Sequence, residues 1–152
     1  MKVYRSFDED ICLNNPVVAI GSFDGVHLGH CRVLQYLGEC AREISGESVV
    51  VTFDPHPQVL LHPKSDFFMI NTLEENLELI GKQGVDAVVV IPFTLEFSKL
   101  SYIEFIDRYI VNALHAKMLV MGPNHALGHN REGNHDSIEK WCVRSGLSTV
   151  EL

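Results

Sequence analysis

Cysteine is sparse and unpaired in this chain: Cys12, Cys31, Cys40 and Cys142 are the four, and no two form a Cys-x-x-Cys. That spacing supports neither a disulfide framework nor a zinc ribbon and points to reduced thiols. Positive charge is also short. Twelve Lys and Arg stand against 20 Asp and Glu, a formal net charge of −8, which suits the phosphate backbone of nucleic acid poorly. No apolar run approaches the roughly 18 residues of a membrane span. Met1-Lys2-Val3-Tyr4-Arg5 leads into acidic residues rather than the apolar core of a signal peptide. The expectation is a cytoplasmic protein with neither nucleic acid nor membrane as partner. Low-complexity tracts and repeats are missing as well. With 152 residues, 46% of them hydrophobic, residues 1–152 read as a single domain with a full core. A small anionic substrate would need local positive potential from a helix terminus, histidines, a few Lys or Arg, or a divalent cation.

What is present is an alternation of strands and helices. Pro16 to Ile20 is a short apolar run of the kind that forms a buried strand, and Val33, Leu34, Leu37, Ala41 and Ile44 then mark one face of a helix. Val49 to Phe53 reads as a second strand. Thr72-Leu73-Glu74-Glu75 is a capping box that opens a helix ended by Gly84. Ala87 to Ile91 is a third strand, and Ser101-Tyr102-Ile103-Glu104 caps a helix whose buried face carries Phe105, Ile106, Tyr109, Ile110 and Leu114. Lys117 to Met121, a helix from Asp136, and Ser148 to Leu152 complete the series. Such alternation predicts a three-layer, Rossmann-like α/β domain around a five-stranded, mainly parallel sheet.

Ligands in such sheets bind beyond the carboxyl ends of the strands. Four distinctive loops fall there: 23–30, 54–57, 92–98 and 122–133. The first carries His27-Leu28-Gly29-His30 at the seam between strand and helix. Histidines three apart on a helix project to one side and can reach one phosphate group, Gly29 leaves the backbone open to a nucleotide, and unpaired N–H groups of the first turn favour a polyphosphate. A zinc site is less natural, because it needs a third ligand and helical zinc histidines are spaced by four. Two solvent-facing histidines that merely start a helix are the plainer alternative. Pro55-His56-Pro57 reads either as a stiff turn or as a pocket wall. Phe97 and Phe105 read either as core or as ligand contacts, and Asn124 to Arg131 could alternatively be a histidine-rich metal site, though it lacks thiolate or carboxylate ligands at ordinary spacing.

Taken together, the loops resemble the FMN adenylyltransferase module of bacterial bifunctional FAD synthetases, in the His-x-Gly-His nucleotidyltransferase superfamily. Phe23-Asp24-Gly25-Val26-His27-Leu28-Gly29-His30 matches that family closely. Thr52-Phe53-Asp54-Pro55-His56-Pro57 is similar to its second motif, and Pro92 to Ser98, with Leu100-Ser101 and Phe105 after it, looks like its third. The resemblance covers almost the whole chain and implies transfer of AMP from ATP to FMN, giving FAD and pyrophosphate, with Mg²⁺ on the phosphates. It implies that His27 and His30 are the catalytic pair. Phe23, Gly25, Gly29 and Asn124 would line the ATP site; apart from the resemblance, Arg131, in a loop with Gly128 and Gly133, reads either as a cation that swings over the phosphates or as a solvated loop charge. Pro55, His56 and Pro57, with Leu61, Phe97, Phe105 and Leu127, would stand on the FMN side. A nucleotidyltransferase with another acceptor, or a nucleotide- or flavin-binding module without turnover, fits the same motifs.

The pattern departs from the family in three places. The loop after the fourth strand reads His125-Ala126-Leu127-Gly128 where the family usually has aromatic-x-aromatic-Gly, and the aromatic beyond the second motif is Leu61. Both changes remove ring faces, so weaker flavin binding is expected. Ser22 stands where Asn is most frequent. The chain ends at Leu152, before the family's Ser-Ser-Thr-x-x-Arg-like segment and riboflavin kinase domain. The expectation is therefore adenylyl transfer without riboflavin phosphorylation, slowed by an incomplete phosphate clamp.

Overall fold

The apolar run after Pro16 forms β2 (Val17–Ile20), and every one of its residues is buried. Successive strand side chains point to opposite faces, so a strand buried throughout is covered on both sides. Val18 and Ile20 pack with Phe105, Ile106, Ile110 and Ile138, while Val17 and Ala19 pack with Leu34, Leu37, Leu77 and Ile80. These two apolar layers are the core.

The computed structural model describes residues 1–122 and 135–152. Among them, six strands form one parallel sheet: β1 (Lys2–Tyr4), β2, β3 (Ser48–Asp54), β4 (Ala87–Pro92), β5 (Met118–Met121) and β6 (Ser148–Glu151), in the order β1-β4-β3-β2-β5-β6. The expected count of five is corrected by β1. Its three residues are too few to show a period, and it becomes a strand only by pairing Lys2, Val3 and Tyr4 with Ala87, Val88 and Val89 at the sheet edge. The Lys2 ammonium fastens it to Glu47 at 3.2 Å.

On one face lie α1 (Leu28–Glu43), which buries Leu34, Leu37, Cys40 and Ala41, and α3 (Leu73–Lys82), which buries Asn76, Leu77 and Ile80. A fully buried leucine or isoleucine contributes roughly 1.5–3 kcal/mol, and each helix is held by two: Leu34 and Leu37 on α1, Leu77 and Ile80 on α3. The capping box at Thr72 is formed in both directions, and Gly84, at φ 83°, follows the end of α3. The other face carries α5 (Tyr102–Phe105), capped by Ser101, and α6 (His135–Ser145). Between them, α5 runs on as a π-helical stretch, Ile106–Ala113, an irregularity that apolar spacing alone does not reveal. Phe105, Ile106, Ile110 and Leu114 are buried as expected, and Tyr109 is half-buried against Phe7. Cys142 on α6 is buried, which pushes its thiol up to about 11 and makes it inert. Short helices α2 (Pro57–Leu61) and α4 (Leu95–Ser98) leave the ends of β3 and β4. No helix among the described residues is long and apolar enough to cross a membrane.

From β2 the chain builds outward through β3 and β4, then returns to place β5 on the other side of β2. The reversal lies between β2 and β5, where doubly wound sheets open a crevice at their carboxyl ends. The loop leaving β2 borders it.

Candidate active site

That loop is built from unfavourable backbone. Asp24–Val26 makes one 3₁₀ turn, and Phe23 (φ 51°), Gly25 (φ 77°) and Val26 (φ 43°) are left-handed. For Phe and Val this costs on the order of 1–3 kcal/mol each and persists only if the surroundings hold it. The hold comes from α3 and the segment before it. Asp24 accepts hydrogen bonds from the Ile70 N–H at 2.6 Å, the Asn71 N–H at 3.1 Å and Asn76 Nδ2 at 3.0 Å. Asn76 Oδ1 in turn accepts from the Gly25 N–H at 2.9 Å. Burial alone would push the Asp24 carboxyl up, but the bonds from Ile70, Asn76 and Asn71, together with nearby His56, hold it below its ordinary value. At Gly25 the positive φ favours glycine, and a Cβ would also lie 3.0 Å from Ile70 Cδ1.

His27 is the N-cap of α1. Its Nδ1 accepts from the Gly29 N–H at 3.1 Å and the His30 N–H at 3.3 Å, and its carbonyl accepts from the Cys31 N–H at 2.9 Å. The sequence reading offers these first-turn amides to a phosphate; the structure corrects this, because His27 itself satisfies them. An accepting Nδ1 makes Nε2 the N–H donor of the neutral ring. The His30 ring stacks on that of His27, centroids 3.6 Å apart and planes at 20°, with the edge of Phe23 at 5.2 Å. Burial, and then the neighbouring His27, keep His30 below its ordinary pKa, with Asp24 opposing. Among the described residues, His30 Nδ1 is buried without a hydrogen-bond partner. Gly29 has a role that spacing does not disclose: a Cβ there would lie 3.0 Å from His27 Cε1 and 3.2 Å from Nδ1. The glycine leaves room for the imidazole.

Beside this loop is a cavity of about 380 Å³. Ser22, Thr52, Phe53, Asp54, Pro55 and His56 wall it from the ends of β2 and β3; Val59 of α2 and residues 69–73, 75 and 76 close the other side. His56 caps α2, its Nδ1 accepting from the Gln58 N–H at 3.0 Å, and its ring lies 4.6 Å from that of Phe67. Burial lowers its pKa, with Asp24 opposing. Pro55 and His56 are therefore in the wall. Pro57 and Leu61 begin and end α2 beside it, Leu61 being 43% exposed. Phe97 and Phe105 sit behind Phe53, at 6.0 and 6.2 Å, in an aromatic cluster with Phe93 and Tyr109; Phe105 is buried. Asn124, Leu127 and Arg131 lie outside the described residues.

The structure thus brings Phe23, Gly25, His27, Gly29 and His30 into one loop and Pro55 and His56 into the adjoining cavity. Sequence reasoning assigned no role to Asp24 or Asn76. One signal was available: Leu73, Asn76, Leu77 and Ile80 follow the spacing of a buried stripe, and a lone Asn there demands a partner. Among the described residues no three His, Cys, Asp or Glu side chains cluster to hold a metal ion.

A family model described as FAD synthetase matches residues 10–152. The bifunctional riboflavin kinase/FMN adenylyltransferase of Listeria monocytogenes is 39% identical over 129 residues, covering 84% of this chain and 41% of that protein. The protein of the same name from Buchnera aphidicola subsp. Acyrthosiphon pisum is 30% identical over 153 aligned positions, covering 100% and 49%. This chain spans about half the length of the curated relatives it matches. A solved structure described as a macrolide-efflux protein from Streptococcus pneumoniae superposes with a TM-score of 0.85 at 24% identity, over 99% of this chain and 50% of that one. At that identity the likeness speaks for the fold alone. With the family's model matched from residue 10 to the last residue, this chain belongs to the FAD synthetase family.

Proposed function

We propose that this chain transfers AMP from ATP to FMN, giving FAD and pyrophosphate, in the cytoplasm. The observation that carries the reading is the juxtaposition, at the ends of the adjacent parallel strands β2 and β3, of the stacked His27 and His30 at the start of α1 with the cavity of about 380 Å³ bounded by Pro55 and His56. One is suited to phosphates, the other to an acceptor.

In this reaction a phosphate oxygen of FMN attacks the α-phosphorus of ATP. A new P–O bond forms, the bond from the α-phosphorus to the bridging oxygen breaks, and pyrophosphate departs with the electron pair. The attacking oxygen is already anionic near neutral pH, so no general base is required. The protein's work is alignment and stabilisation of growing negative charge. His27 donates through Nε2, with its ring fixed by the two amides on Nδ1. His30, stacked against it, is the second donor, and the unpartnered Nδ1 is a polar atom that a bound ligand can satisfy. Mg²⁺ enters as part of the nucleotide substrate and neutralises phosphate charge there. Phe23, Gly25, Gly29 and Asn124 would frame the nucleotide, with Arg131 over its phosphates. Pro55, His56, Pro57, Leu61, Phe97, Phe105 and Leu127 would frame the flavin.

The test is incubation of the protein with ATP, Mg²⁺ and FMN while FAD and pyrophosphate are followed together. Equal amounts of both products support the reading. Pyrophosphate without FAD, or neither product, refutes it.

A further inference from the structure

Asn76 touches both sites through its side chain. Its side chain is 3% exposed on α3, it lines the cavity, and its two polar atoms are both spent on the tetrad loop: Nδ2 on Asp24 and Oδ1 on the Gly25 N–H. Asp24 also accepts from the N–H groups of Ile70 and Asn71, and those residues are themselves cavity wall. Four hydrogen bonds therefore join the wall of the cavity to the left-handed turn that delivers His27. Burial of the Phe23 and Val26 side chains also offsets the strain at those residues. A shift of residues 70–76 must either carry the loop with it or break these bonds.

We propose that Asn76 is a positioning residue that couples the two sites. It holds the 23–27 loop in the shape that aligns the imidazole pair, and occupation of the cavity steadies the same bonds. Each ligand thereby raises the affinity for the other, and by linkage the factor is the same in both directions. The coupling rests on the acceptor reading given above; the hold on the nucleotide site does not.

The experiment measures the dissociation constant of a non-hydrolysable ATP analogue with Mg²⁺, alone and at saturating FMN, in the wild type, Asn76→Leu and a control, Leu77→Ala. In the wild type FMN should tighten the analogue several-fold, within the ordinary range of about 5–150-fold for such coupling. Asn76→Leu should weaken the analogue alone about tenfold and bring the FMN factor close to one, roughly the loss of one typical coupling free energy. Leu77→Ala should lower Tm yet keep the factor. If Asn76→Leu does not fold, Asn76→Ala is read in the same way. Analogue binding within twofold of wild type with the FMN factor intact overturns the proposal, as does a wild-type factor of one. Absence of any FMN binding to the wild type refutes the acceptor reading instead, and the analogue-alone comparison still decides whether Asn76 holds the nucleotide loop.

Discussion

The imidazole of His30 lies face to face with that of His27, ring centroids 3.6 Å apart and planes 20° apart, while His27 Nδ1 caps the helix that carries both. The helix start and the histidine pair are thus one piece of structure. Burial first, and then repulsion from the His27 ring so close by, hold His30 below its ordinary pKa.

Because His27 caps α1 and is also the donor proposed above, substitutions should separate the two. His27→Ala removes the cap and the Nε2 donor together, and should cost about 1 kcal/mol of stability and on the order of 10²–10³ in turnover. His27→Asn restores a capping side chain without the donor. Denaturation curves should show Asn close to wild type, while rates of FAD formation should be as low as for Ala. Recovery of turnover by Asn would mean that His27 acts through the cap alone.

Gly29→Ala sets helix propensity against the site. Alanine in a helix is favoured over glycine by about 1 kcal/mol, but its Cβ would lie 3.0 Å from His27 Cε1. Stability should hold or rise, while turnover falls about tenfold or more as the ring is displaced. An unchanged rate would show that the imidazole is free to move aside.

Acid should weaken the fold in two stages. His30 and His56 are lowered mainly by burial from an ordinary 6.5. Between the folded and unfolded values the unfolded chain binds more protons, so this stability is complete above 6.5 and is lost as pH falls through the folded values. Asp24, whose hydrogen bonds outweigh its burial, follows lower down: its contribution is complete above 3.8 and is lost as pH falls through its folded value. Urea midpoints measured from about pH 7.5 down to about pH 2 should decline across both windows. His56→Gln should flatten the upper one; a slope of equal steepness in that variant would remove His56 from the account.

Leu61 stands 43% exposed at the end of α2, the helix whose Val59 lines the cavity. An aromatic contact adds about 0.5–1.5 kcal/mol beyond area burial, so Leu61→Phe should tighten FMN binding roughly two- to tenfold. Calorimetry with FMN checks this. Unchanged or weaker binding would place the residue outside the flavin's reach.

Much of this protein is local and so can be read along the chain. Short runs such as Val49 to Phe53 can only be strands once both faces are covered, the capping boxes at Thr72 and Ser101 mark helix starts by their own hydrogen bonds, and the order of these elements implies the parallel sheet with its loops at one rim. His27, Gly29 and His30 are legible for the same reason, since their spacing within one turn is set by helix geometry. What spacing could not convey is which groups those residues meet. The first-turn amides look free until the His27 ring folds back on them, and Gly29 looks like an opening for a ligand until that ring fills the space. Strand β1 exists only because β4 accepts it. The bonds from Asn76 to Asp24 and Gly25 join residues 52 and 51 positions apart, and a polar group buried that far along the chain finds its partner only when α3 and the tetrad loop are packed side by side. Periodicity reports which side of an element is buried; the partner it is buried against is decided by the packing of the whole domain.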